Sequence, residues 1–153
     1  FKTFLKLSPP LRLEDDRTSL VNGIKSGLID VIVSDHTPED EEGKRLPFAQ
    51  AATGAIGIET LLPLALEMYH NDSLELTKII ETLTINPAKI LKINKGTLTK
   101  GSNADICVFD LDKPWVVNGD ELKSKAKNTA IEGRKLQGKV LMTFLNGVLM
   151  FKS

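Results

Sequence analysis

The feature that most limits the fold is a short run, residues 28–34, in which Ile29, Val31, Ile32 and Val33 surround a lone Asp30. A strand with one wet face alternates apolar and polar side chains. A near-continuous apolar strand must instead be covered on both faces, as in a parallel sheet flanked by helices. The run stops at Asp35-His36-Thr37-Pro38. Aspartate is common wherever a strand turns, yet in a parallel α/β barrel the C-terminal end of a strand is also where catalytic side chains stand. Position alone leaves both readings open.

The neighbouring segments fit βα alternation. Residues 4–7 read as a short strand ended by Ser8-Pro9-Pro10, because two prolines remove ladder donors. Residues 14–26 read as a helix: Glu14, Asp15 and Asp16 suit its first turn, Leu20, Val21 and Ile24 form an apolar stripe, and Gly27 suits the position past its end. Residues 35–55 form a long polar loop, a length that is usually functional or disordered. An apolar helix is predicted over 58–70, with Pro63 in its first turn or kinking it. A second follows, with Asp72 or Ser73 as N-cap and Leu76, Ile79, Ile80 and Leu83 at helical spacing. Asn86-Pro87 reads as cap and first helical residue of a short helix through Leu91.

After residue 94 the character changes. Glycines separate short β-like runs at 104–110, 139–145 and 148–151, and Asn146-Gly147 between the last two is a strong hairpin signal. The chain thus divides into a βα-alternating part, 1–93, and an all-β part, 94–153.

Composition excludes several classes. With 20 basic side chains against 20 acidic ones, no net field points toward nucleic acid or an anionic membrane. No apolar run has the length of a membrane span. The single cysteine, Cys107, lies in an apolar run and reads as core, which fits a reducing, cytoplasmic setting. The 153 residues suffice for one domain with a core. The opening FKTFLKL has no initiator Met and already reads as an apolar strand, which suggests a piece of a longer protein.

A zinc site needs three protein ligands in defined geometry, and His36, His70 and Cys107 show no such spacing. His70 reads as a helix-end residue near the C-terminal dipole. Gly54 and Gly57 precede a helix, but their spacing is too loose for a phosphate loop and favours a structural turn. Lys44-Arg45 and the KSKAK run at 123–127 read as solvated surface.

Several segments, taken in order, resemble one family. LSPPLR (7–12), DVIVSDHTP (30–38), GAIGIETLLPLAL (54–66), TINPAKIL (84–91), KGSNADICVFD (100–110) and KNTAIEGRKLQGKVLMTFLNG (127–147) are similar to the C-terminal part of a long, bacterial-type dihydroorotase of the amidohydrolase superfamily. The resemblance implies an α/β fold: the C-terminal portion of a TIM-type (β/α)8 barrel over 1–93, followed over 94–153 by part of a small β-sandwich domain. A full barrel takes roughly 200 residues or more, so the chain would hold only part of one and be unstable alone. The implied reaction is reversible hydrolysis of the cyclic amide of dihydroorotate to carbamoyl aspartate in pyrimidine synthesis. Two zinc ions supply the nucleophilic water, and an aspartate ending the eighth strand moves the proton and touches one metal. The matching residue is Asp35, as catalytic group and metal ligand, with the other ligands upstream of this chain. His36 shapes the site beside it. A homo-oligomer is also implied.

Three departures bear on the substrate site. Ser8 stands where the family has Asn, Glu39 where it has His, and Ala52-Thr53-Gly54 where it has Pro-Phe-Gly, so Ser8, Glu39, Thr53 and Gly54 are the substrate-binding candidates. A Glu39 carboxylate about 4 Å from a substrate carboxylate would cost about 1 kcal/mol in water and about 4 at an effective dielectric of 20. These changes are similar to those of inactive dihydroorotase-like subunits that support assembly of aspartate carbamoyltransferase. A related cyclic amidase, a hydantoinase or allantoinase, is a third reading.

Overall fold

A computed structural model describes residues 2–153; Phe1 lies outside the described residues. The helices are α1 (Glu14–Ser26), α2 (Glu41–Arg45), α3 (Leu61–His70), α4 (Leu76–Leu83) and α5 (Ile85–Ile90), and the strands are β1 (Ile106–Val116), β2 (Lys135–Leu145) and β3 (Val148–Lys152).

Helix α1 occupies the predicted residues. Its first turn carries Glu14, Asp15 and Asp16, the Asp16 carboxylate accepts from the Leu13 amide at 3.2 Å, and Gly27 closes the helix at φ 79°. A left-handed residue there costs glycine nothing sterically. Ile24 is buried with Ala65 of α3, with Leu74 just ahead of α4 and with Ile79 of α4, and partly buried Ile29 and Ile32 pack on this cluster.

Two predicted strands do not form. Residues 3–5 make a 3-10 turn, and residues 28–34 are extended without a ladder: the Ile32 amide donates to Thr82 and the Asp30 carbonyl accepts from Asn86 Nδ2. A ladder needs a neighbouring strand and each face needs a covering layer; among the described residues no strand pairs with this run, and Leu28 and Val33 stay 82% and 71% exposed.

The loop 35–55 is shorter than expected because α2 forms inside it, capped by the Asp40 side chain on the Gly43 amide. Helix α3 begins three residues late, and Pro63 sits in its first turn, where its missing N–H has no helical acceptor to lose. Neither Asp72 nor Ser73 caps α4: Asp72 turns at φ 55° and Glu75 precedes the helix. Asn86 and Pro87 lie inside α5 after Thr84, and the Asn86 amide is spent on Asp30.

The three strands form an antiparallel meander β1-β2-β3. Strands β1 and β2 run further than predicted, with a register shift between Asp110 and Pro114 that admits the proline. Asn146 and Gly147 join β2 to β3 at φ 50° and 81°, both positive as a type I′ turn requires. Helix α3 lies against β2: a Cβ on Gly138 would stand 2.5 Å from Leu66 Cδ1, and the Arg134 guanidinium bonds both Glu67 oxygens at 2.8 and 2.9 Å. A second core joins Ile56 to Val117, Leu122 and Leu136.

Two surface-and-core expectations reverse. Cys107 is exposed near the start of β1, next to Ile106, which is also exposed, and partial desolvation nonetheless pushes its thiol pKa up. Lys44 is only 1% exposed. No described helix is long and apolar enough to cross a membrane.

Candidate active site

A cleft of about 410 Å³ opens between residues 7–11, the extended run 32–37, residues 54–57, the start of α3 and residues 129–131. Its lining is mainly apolar, with Ser8, Ser34, Asp35, Thr37, Thr60 and Thr129 as the polar side chains. Asp35 adopts φ 43°, a conformation that aspartate tolerates better than most side chains. Its carbonyl accepts from Thr37 Oγ1 at 3.1 Å. Its carboxylate is exposed and, among the described residues, has no hydrogen-bond or ion-pair partner.

The wall bearing Asp35 is joined closely to residues 54–58. The Thr37 amide donates to the Ala55 carbonyl at 2.9 Å. His36 Nδ1 accepts from the Gly57 and Ile58 amides at 3.1 and 3.4 Å, which puts the proton of a neutral ring on Nε2. Gly54 is required by contact: a Cβ would lie 2.7 Å from the Thr37 carbonyl oxygen, and its φ is 146°.

Two lysines anchor the segment behind Gly54. Lys44 Nζ donates to the carbonyls of Thr3, Lys6 and Ala52 at 3.1, 3.3 and 2.9 Å. Lys6 Nζ donates to those of Phe48, Ala49 and Ala51 at 2.9, 3.0 and 2.7 Å. Each ammonium has three donors and finds three acceptors. Burial pushes the Lys44 pKa down, partly opposed by Glu39.

Of the sequence candidates, Ser8, Asp35 and Gly54 share the cleft. Ser8 is exposed. Gly54 is buried, and both its polar groups are engaged internally: its amide donates to Lys6 and its carbonyl accepts from Asn128 Nδ2. Thr53 is exposed and stands outside the cleft lining. Glu39 is half-buried in a separate groove of about 710 Å³, with Lys125, Lys127 and Glu132. Among the described residues, no group of three or more His, Cys, Asp or Glu side chains is arranged to hold a metal ion.

Lys44 and Asn128 were not among the residues the sequence marks as functional. A lysine between Gly43 and Arg45 carries no mark of burial, and Asn128 was visible only inside the KN…EGR segment.

The amidohydrolase family model matches residues 7–150. The chain belongs to the amidohydrolase family. Among amidohydrolase relatives, a dihydroorotase of Ehrlichia chaffeensis is 45% identical over 148 residues, covering 97% of this chain and 33% of the relative. A dihydroorotase of Ehrlichia canis is 44% identical over 145 residues, covering 95% and 32%. The solved structure of an L-hydantoinase (dihydropyrimidinase) from Arthrobacter aurescens superposes with a TM-score of 0.92 at 30% identity, covering 98% of this chain and 35% of that one. The chain therefore has an amidohydrolase fold of mixed α and β content, and it spans about a third of the length of the curated relatives it matches.

Proposed function

We propose that this chain is the C-terminal part of a dihydroorotase, which hydrolyses the cyclic amide of dihydroorotate reversibly to carbamoyl aspartate. On this reading residues 1–93 correspond to the last strands and helices of the barrel, with the extended run 28–34 finding its neighbouring strands in the rest of the protein, and 94–153 correspond to the C-terminal share of the β-sandwich. The observation that carries the activity is Asp35, an exposed, unpartnered carboxylate where a buried-type run ends beside a cleft. Support also comes from the dihydroorotase relatives at 45% and 44% identity.

A carboxylate free of protein partners suits one position of a metal site, and Asp35 is the residue this chain offers to it; His36 Nδ1 is already occupied by two amides. Zinc, when bound, supplies a water that is nucleophilic at neutral pH. With the metal bound, the Asp35 carboxylate would accept a proton from the water as its oxygen bonds the ring carbonyl carbon. It would return that proton to the ring nitrogen as the C–N bond breaks, a proton transfer worth about 10²–10⁴-fold in rate. The apolar floor from α3 excludes water around the ring. Ser8, in the cleft lining, donates a hydrogen bond to the substrate carboxylate. Because Glu39 lines the other groove, its charge does not oppose that carboxylate at short range.

The test is turnover of dihydroorotate by the full-length, zinc-supplied protein, run beside hydantoin and dihydrouracil. Turnover of dihydroorotate, lost on chelation and restored by zinc, is the expected result. Preference for hydantoin or dihydrouracil would replace this reading with the hydantoinase one. Inertness toward all three by well-folded protein would overturn it in favour of a subunit that assembles with aspartate carbamoyltransferase.

A further inference from the structure

We propose that Asn128 is a positioning residue that holds the Asp35-bearing wall in register with the Gly54 segment; its kinetic consequence rests on the function proposed above. Asn128 is 3% exposed and reaches in from the connection between β1 and β2. Its Oδ1 accepts the Glu39 amide at 3.3 Å and its Nδ2 donates to the Gly54 carbonyl at 3.2 Å. Its own carbonyl accepts the Ile56 amide at 3.2 Å. One residue therefore bonds both segments that flank the cleft.

The side-chain amide adds a rung between two segments that are also joined, among the described residues, by the Thr37–Ala55 backbone bond and by the Gly57 and Ile58 amides on His36 Nδ1. A carboxamide has one donor end and one acceptor end, and here each faces its complement, so the amide fits in one orientation only. Aspartate keeps the acceptor but turns an anionic oxygen toward the Gly54 carbonyl. Glutamine adds a methylene to a buried site. Alanine leaves the Glu39 amide and the Gly54 carbonyl without that partner. Misplacing a reacting group by about 1 Å can cost about 10²-fold in rate, and only three residues separate Asp35 from Glu39, whose amide Asn128 holds.

The experiment uses the full-length, zinc-supplied protein as wild type, Asn128→Asp and Asn128→Ala, and reads both steady-state kinetics and amide hydrogen exchange. The expected result is a kcat lowered by at least about tenfold in both variants with KM changed by less than about threefold, because the wall that carries the proton shuttle moves while binding groups elsewhere stay. Asn128→Asp should regain activity relative to wild type as pH falls, since a protonated carboxyl can donate to Gly54; Asn128→Ala should not. Exchange at the Glu39 amide should quicken by about tenfold or more in Asn128→Ala, while Ile79 in the helical core is unchanged. Glu39 exchange within about twofold of wild type overturns the proposal, and so does an unaltered kcat in both folded variants of an active protein. An inert wild type would remove the proposed activity, and Glu39 exchange would still decide the positioning.

Discussion

Replacing Lys44 by Met keeps most of the buried stem and removes the ammonium. Three carbonyls lose a donor, but not equally. The Thr3 carbonyl also accepts from the Lys6 amide and the Lys6 carbonyl from the Gly54 amide, each at 3.0 Å, so only the Ala52 carbonyl loses its sole partner among the described residues. One orphaned carbonyl costs about 1–3 kcal/mol. Removing a poorly hydrated charge offsets part of that, leaving a net loss of about 1–2 kcal/mol. Opening of the segment should become about 5- to 30-fold more frequent. Amide exchange at Gly54 in the full-length protein reads this directly, with Ile79 as the unaffected reference. The pH dependence has a definite sign. Folding lowers the Lys44 pKa, so the unfolded state holds its proton more tightly. Stability gained from this group therefore rises with pH between the lowered folded value and the unfolded value of about 10.4. Lys44→Met should lack that rise. Unchanged exchange at Gly54, or equal acceleration at Gly54 and Ile79, would refute the reasoning.

Two further predictions concern the sheet. Gly147→Ala should cost about 1–2 kcal/mol from its positive φ alone, its nearest neighbour being Ala104 at 3.9 Å, whereas Gly138→Ala should cost more because its Cβ would meet Leu66 at 2.5 Å; denaturant midpoints of the two variants check the order. The Lys95 ammonium and the Asn146 amide hold the Asp105 carboxyl below its usual range, so its contribution is complete above the unfolded value of about 3.9 and fades as pH falls through the folded one. Asp105→Asn should lower stability at pH 7 and flatten the acid limb of a stability-against-pH curve, so that variant and wild type converge as pH falls.

What was legible in the sequence was local. The acidic first turn and Gly27 mark both ends of α1 because caps and the helix dipole act within one turn. Asn146-Gly147 marks the hairpin because few other pairs accept two positive φ angles. The strand predicted at 28–34 was a statement about neighbours, and an extended run without flanking strands keeps its sequence pattern while forming no ladder. The same limit hides Lys44: its burial comes from carbonyls 8 to 41 residues away. At the site, Asp35, Ser8 and Gly54 were legible as a group, and Glu39 was not separable from them. Asp35 and Thr37 line the cleft, whereas Glu39, its amide held by Asn128 89 residues on, lines the neighbouring groove.

If Asp35 carries the proton, its replacement by Asn should show in kcat for dihydroorotate, measured against wild type in the full-length protein at saturating zinc with folding and zinc content checked. The substitution keeps size and hydrogen bonding and removes the ability to take a proton. A fall in kcat of about 10²–10⁴-fold is predicted; a kcat within about threefold of wild type would contradict the account.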